Sequence, residues 1–199
     1  MASPDSNIRV AILGASGIGE IHARIMHSLG AQIVAILGST KSSAELTANQ
    51  LNRKYGFKPA FYSDYAALLK NEKPEAISIC TPPEHHFSQL ESAFEKKLPV
   101  FCEKPLFWNK NITTNELEFK LEKLKSYPKT KLLVNTSNST FLDTVKDQID
   151  QTKPCKYFYF QFYTQGPYKK REIAQDLLPH GLSLLIKLIG QKEITSFTE

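Results

Sequence analysis

Short apolar runs alternate with amphipathic stretches along the first two-thirds of the chain, the pattern of a parallel sheet flanked by helices. Continuous apolar runs predict strands over residues 8–13, 32–37, 76–80, 100–102 and 131–135. Helical spacing between them predicts helices near 17–29, 43–55, 65–70, 87–97 and 114–125. Two helix starts carry capping-box spacing, Ser42 with Glu45 and Thr113 with Glu116, in which each side chain can satisfy the other's free amide.

The pattern changes after Asn135. A helix is predicted over 141–150, followed by a Lys-Pro loop and a strand over 157–163. In that strand Phe158, Phe160 and Phe162 alternate with Tyr157, Tyr159, Gln161 and Tyr163. One face is dry and packs on helices; the other is amphipathic and suits a site or a contact between identical subunits. A proline is best tolerated in a helix's first turn, so a last helix is predicted to begin at Pro179, run to Leu188 and stop at Gly190. A further strand is predicted over 193–197. The expected organisation is a doubly wound α/β domain over 1–138 and a smaller α+β domain over 139–199.

Composition changes this picture little. The 199 residues are 41% hydrophobic and 23% charged, ordinary for a globular protein, with a net charge of +5. The lysines alternate with glutamates on helical faces, and the one dense basic cluster, Lys169, Lys170 and Arg171, has no recognition motif beside it, so no nucleic-acid partner is expected. The most apolar segment, 182–189, is short and broken by Lys187, which predicts no membrane span. No basic start or apolar stretch precedes Arg9, so no secretory signal is read and the expected compartment is the cytoplasm. Cys80, Cys102 and Cys155 are odd in number and fit no zinc spacing, so neither a disulfide framework nor a metal site is expected.

The first chemical signal is Gly14-Ala-Ser-Gly-Ile-Gly19, lying between a strand and a helix. Gly14 allows a tight turn and Gly19 a close helix–strand approach, and amides near Gly17 and Ile18 can face a pyrophosphate. Ser16 stands where the dinucleotide fingerprint has its middle glycine. The second strand ends in Leu37-Gly38-Ser39-Thr40-Lys41, without the carboxylate that normally binds the adenosine ribose. Ser39, Thr40 and Lys41 instead suit a 2′-phosphate, which favours NADP over NAD. A short-chain dehydrogenase would need a Tyr-x-x-x-Lys pair on one helix; the only such spacing, Tyr127 with Lys131, is interrupted by Pro128.

Three further segments are more specific: 76–86, ending Thr81-Pro-Pro-Glu-His-His86; 100–105, ending Glu103-Lys104-Pro105; and Asp176 with His180. Together with the glycine loop they resemble, in order, the signatures of the glucose-fructose oxidoreductase and inositol dehydrogenase family. The resemblance implies an NAD(P)-dependent oxidoreductase acting on a sugar, cyclitol or related polyol, with a Rossmann domain followed by a mostly antiparallel sheet. It implies cofactor contacts at Thr81, Pro82, His86, Glu103 and Lys104, and catalytic roles for Lys104, Asp176 and His180. Physical arguments run beside it. Thr81 and Pro82 close a strand at its carboxyl end, where ligands of open parallel sheets lie. Lys104 can reach a substrate oxygen while Glu103 balances its charge, and His180, placed at a helix start with Asp176 to orient it, suits a general base.

The chain departs from the family's common pattern. Leu178 stands where a glycine is usual and Ser183 where a second aspartate is, and 135–141 lacks an arginine often found there. Family members also continue well past the histidine helix, so a fragment or a shortened relative is expected. The competing expectation is a non-catalytic dinucleotide-binding or assembly protein derived from that family.

Overall fold

The computed structural model describes residues 7–127, 130–149, 156–163 and 171–190. It divides into two compact units, Met1–Val134 and Asn135–Glu199.

In the first unit, Arg9–Leu13 (β1), Gln32–Leu37 (β2), Ala60–Tyr62 (β3), Ala76–Ile79 (β4), Val100–Cys102 (β5) and Leu132–Val134 (β6) form one sheet in the order β3-β2-β1-β4-β5-β6. Every pairing is parallel. The helices are Ile18–Ser28 (α1), Lys41–Tyr55 (α2), Tyr65–Glu72 (α3), Pro83–Glu95 (α4) and Thr114–Lys125 (α5). The strand order reverses between β1 and β4, which opens a crevice at the carboxyl ends of those strands. Residues of β1 and β2 supply two cores, one on either face of the sheet. Ile12, Ile36, Ala23 and Leu51 lie on the α1 and α2 side, and Leu13, Ile79, Leu68 and Leu90 on the other.

Several boundaries differ from those the sequence suggests. The α2 cap is Thr40, not Ser42: Thr40 Oγ1 accepts from the Ser43 amide at 3.1 Å, and the Thr40 amide donates to Ser43 Oγ at 3.0 Å, closing the box two residues earlier. Thr113 does cap α5, accepting from the Glu116 amide at 3.2 Å, but the Glu116 carboxylate reaches Lys120 at 2.6 Å. Helix α4 begins at Pro83, four residues before the periodicity does, because proline fits a first helical turn. Strand β3 is three residues long and too short to leave a period in the sequence.

The second unit contains Ser137–Val145 (α6), a 3-10 turn at Lys146–Gln148 and Arg171–Ile189 (α7). Among the described residues the sheet is wholly parallel, and the segment 156–163 makes no ladder and forms no strand. The expected dry face is not formed: Phe158 and Phe162 are exposed along with Tyr157, Tyr159 and Tyr163, and only Phe160, which packs on Gly181, is half-buried, while Phe162 stacks on the His180 ring. The strand expected over 193–197 and Cys155 lie outside the described residues.

Candidate functional site

The carboxyl ends of β1, β2 and β4 are tied at one level. The Gly14 amide donates to Leu37 O at 2.9 Å, the Gly38 amide to Tyr62 O at 2.9 Å, and the Cys80 amide to Leu13 O at 2.8 Å. Gly14 takes φ +79°, and a Cβ there would stand 2.8 Å from Cys80 O; a Cβ on Gly19 would stand 1.9 Å from Gly14 O. Both positions therefore exclude any side chain, which lets α1 rest directly on the loop. Ser16, Gly17 and Ile18 are exposed above them. Helices α2, α3 and α5 are capped by Thr40, Asp64 and Thr113, whereas no side chain caps α1. The Gly19 and Glu20 amides close on Ser16 O and Gly17 O at 3.2 Å, and no side chain competes with an anion for this helix start.

A cleft of about 580 Å³ opens at this edge. Of the residues expected to meet a cofactor, Gly14, Ser16, Ser39, Thr81 and Pro82 line it. Gly17 and Ile18 begin α1 beside it, and Gly19 is buried. Thr40 and Lys41 sit at the exposed start of α2, where the Thr40 hydroxyl is held within the cap. The acidic position is empty: Gly38 packs against Ala44, and Ser39 Oγ lies 3.4 Å from Ser43 Oγ. Sequence reasoning missed Ser43, Thr47, Ser63, His85 and Gln89 on the lining. Starting α4 at Pro83 would have pointed to His85 and Gln89, which lie one turn apart; Thr81 Oγ1 donates to Gln89 Oε1 at 2.6 Å.

Two expected cofactor residues have partners within the protein. His86 is fully buried, with Nε2 2.7 Å from Thr81 O and Nδ1 3.1 Å from the carbonyl oxygens of both Pro105 and Leu106. It straps the turn after β4 to the turn after β5 and does not reach the cleft lining. Glu103 is buried and meets His22 Nε2 at 2.9 Å, so its charge is answered from α1 as well as from any neighbour. Lys104, next in the chain, is half-buried at the carboxyl end of β5. Cys80 forms part of the cleft wall, and burial pushes its thiol up to about 12, so it stays protonated at neutral pH.

In the second unit Asp176 and His180 are four residues apart on α7 and share a face. The expected helix start at Pro179 is not where the structure puts it. The helix runs from Arg171 with Pro179 in its interior, so His180 sits mid-helix and gains nothing from a positive helix end. An interior proline forfeits one backbone hydrogen bond and costs about 3 kcal/mol. The half-buried apolar positions Ile173, Leu177, Leu184 and Leu185 lie on both sides of it along the helix. The His180 ring is stacked at 5.6 Å and 10° on Phe162, which fixes its plane. Ser183, at the position of the family's second aspartate, donates to His180 O at 2.9 Å.

No helix among the described residues is long and apolar enough to cross a membrane. Residues 8–133 match the model of an oxidoreductase family with an NAD-binding Rossmann fold. The chain is 33% identical over 106 residues to D-glucoside 3-dehydrogenase of Escherichia coli strain K12, a match covering 52% of this chain and 29% of that protein. It is 34% identical over 99 residues to inositol 2-dehydrogenase of Streptomyces avermitilis, covering 49% and 27%. Myo-inositol 2-dehydrogenase from Lactobacillus plantarum superposes with a TM-score of 0.57 at 26% identity, over 72% of this chain and 42% of that one. Scyllo-inositol dehydrogenase from Lactobacillus casei, solved with NAD(H) and scyllo-inositol, shares the fold with a TM-score of 0.57 at 19% identity, over 72% and 42%. The matched stretches are thus less than half of each relative, while the family match over residues 8–133 takes in both the glycine loop and the Glu-Lys-Pro turn: this chain belongs to that oxidoreductase family, the one typified by glucose-fructose oxidoreductase and inositol dehydrogenase.

Proposed function

We propose that the protein is an NADP-dependent oxidoreductase acting on a CH–OH group of a sugar, cyclitol or related polyol. The observation that carries it is the loop at Gly14 to Gly19, closed to side chains beneath and uncapped above, at the switch point of a parallel sheet. A nicotinamide dinucleotide, when bound, supplies the group that accepts or donates hydride. Gly14, Ser16, Gly17 and Ile18 hold its pyrophosphate, and Thr81 and Pro82 border its path. Ser39, Thr40, Lys41 and the newly found Ser43 receive a 2′-phosphate where no carboxylate stands to repel it. NADP is preferred to NAD on that ground.

The remaining roles belong to the chain's own side chains. Lys104 steadies the substrate oxygen as it gains negative charge. His180 takes the hydroxyl proton on a ring nitrogen, with Asp176 and the Phe162 stack fixing its orientation. The second unit is the partial substrate domain, and it assembles with a second copy through the exposed Tyr157, Tyr159 and Tyr163 face. The free thiols of Cys80 and Cys102 suit a reducing cytoplasmic setting.

Fluorescence titration with NADPH and NADH tests this reading. Binding of both, tighter for NADPH, is expected. Tighter NADH binding would overturn the 2′-phosphate assignment alone, and no binding of either would overturn the whole. Light scattering should give a dimer or larger; a monomer at micromolar concentration refutes the tyrosine-face contact.

A further inference from the structure

His22 belongs to none of the motifs described above, yet three elements of the cleft converge on it. It projects from α1, one turn beyond the glycine loop, and is 5% exposed. Its Nε2 lies 2.9 Å from Glu103 Oε1, next to Lys104 after β5. Its Nδ1 lies 2.9 Å from Ser78 Oγ and 3.2 Å from Cys80 Sγ, both at the end of β4. Its face stacks on Phe101 of β5, with ring centroids 4.9 Å apart. A carboxylate only accepts, so Nε2–H donates to Glu103; in the neutral ring Nδ1 then accepts, and the Ser78 hydroxyl and Cys80 thiol are the donors facing it. Both nitrogens and one face of a buried ring are therefore committed, which is more than packing alone requires.

The consequence concerns Lys104. Glu103 is 9% exposed, and a buried carboxylate that loses one of its partners is drawn toward water or toward taking up a proton. Either response acts on the turn that carries Lys104, whose backbone is also held by the 2.9 Å bond from the Glu103 amide to Ile79 O and by His86 Nδ1 at 3.1 Å from Pro105 O. We propose that His22 is a positioning residue: it ties the Glu103–Lys104–Pro105 turn to the helix that begins at the pyrophosphate loop, so that a dinucleotide seated on that loop finds Lys104 at its nicotinamide end. The inference rests on the reading of the first unit as a dinucleotide site.

The single tryptophan, Trp108, sits four residues beyond Lys104 and reports on that turn by energy transfer to reduced nicotinamide. The test uses the full chain and NADPH as the probe, comparing wild type, His22→Ala, Lys104→Ala, their double variant and His22→Gln. His22→Ala should retain NADPH affinity within about threefold, because the loop amides are untouched. It should lose at least half of the nicotinamide fluorescence enhancement and alter the Trp108 energy transfer. The double variant should match Lys104→Ala, since both changes act on one contact. His22→Gln, whose amide can still donate to Glu103, should recover most of the signal, and Glu103→Gln serves as the second lesion should His22→Ala fail to fold. Wild-type enhancement in His22→Ala, or losses that add to those of Lys104→Ala, would overturn the proposal and leave His22 a packing residue. Failure of wild type to bind NADPH or NADH would instead overturn the dinucleotide reading, and this proposal with it.

Discussion

The two units divide the work of folding unequally. Among the described residues every buried apolar side chain lies at or before Leu124, in the first unit, where two cores sandwich a six-stranded sheet. In the second unit Phe141, Leu178, Leu182 and Ile186 on α6 and α7 remain exposed, and among the described residues Gly181 beneath Phe160 is the one buried position. A dinucleotide site built on the first unit is held by close-packed strand ends that cannot shift independently. Groups carried by the second unit are oriented differently: by a shared helix face, by the Phe162 stack on His180 and by packing of α6 on α7 with the Lys187–Asp143 ion pair at 2.9 Å. Cofactor binding and proton transfer should therefore respond to different perturbations.

The most severe break is Gly19→Val. With Gly14 O already 1.9 Å from where a Cβ would stand, α1 must leave the loop, and loss of cooperative folding or of all NADPH binding is expected by thermal melting and titration. Next comes a matched pair of truncations. Leu13→Ala, in a fully buried side chain of β1, should cost about 2–5 kcal/mol in denaturant unfolding, whereas Leu178→Ala, 53% exposed on α7, should stay within about 0.5 kcal/mol. Equal costs would contradict the division between units.

Much of the first unit was legible because a buried parallel sheet writes itself as uninterrupted apolar runs, and β1, β2, β4 and β5 all carry them. Strand β3, with three half-buried residues, carries no such run. The glycine loop and the Ser39 turn were readable because backbone constraint and missing charge both show in residue identity. His22, Ser43 and Gln89 were not, since their roles arise from helices folding back on strand ends, a relation that no local spacing records. Pro179 misled for a physical reason: a helix stabilised by its tertiary face can absorb an interior proline, which a first-turn rule does not anticipate.

Activity separates the units in a second way. Once a screen of sugars, cyclitols and sugar acids yields a substrate, Lys104→Ala and His180→Ala should each lower turnover by ~100-fold. Only Lys104→Ala should also weaken NADPH binding, and then modestly; Asp176→Asn should cost less than His180→Ala, since the base remains. Alkaline pH sharpens the contrast further. Burial raises the folded Cys80 thiol to about 12, while in the unfolded chain it ionises near 9. Its contribution to stability is thus complete below pH 9 and is lost as pH rises toward 12, so the melting temperature of the first unit should fall between pH 9 and 11. In Cys80→Ser that alkaline decline should be shallower. A small effect, between those of Leu13→Ala and Leu178→Ala, is expected of Thr40→Ala, which removes the α2 cap at about 1 kcal/mol.

The central claim is that the first unit by itself holds the dinucleotide, and hydrogen exchange of the full chain with and without NADPH tests it most directly. Added protection should appear at residues 14–20, 38–44 and 80–86, with residues 171–190 changed far less. Protection confined to 171–190, or none anywhere at saturating NADPH, would contradict it.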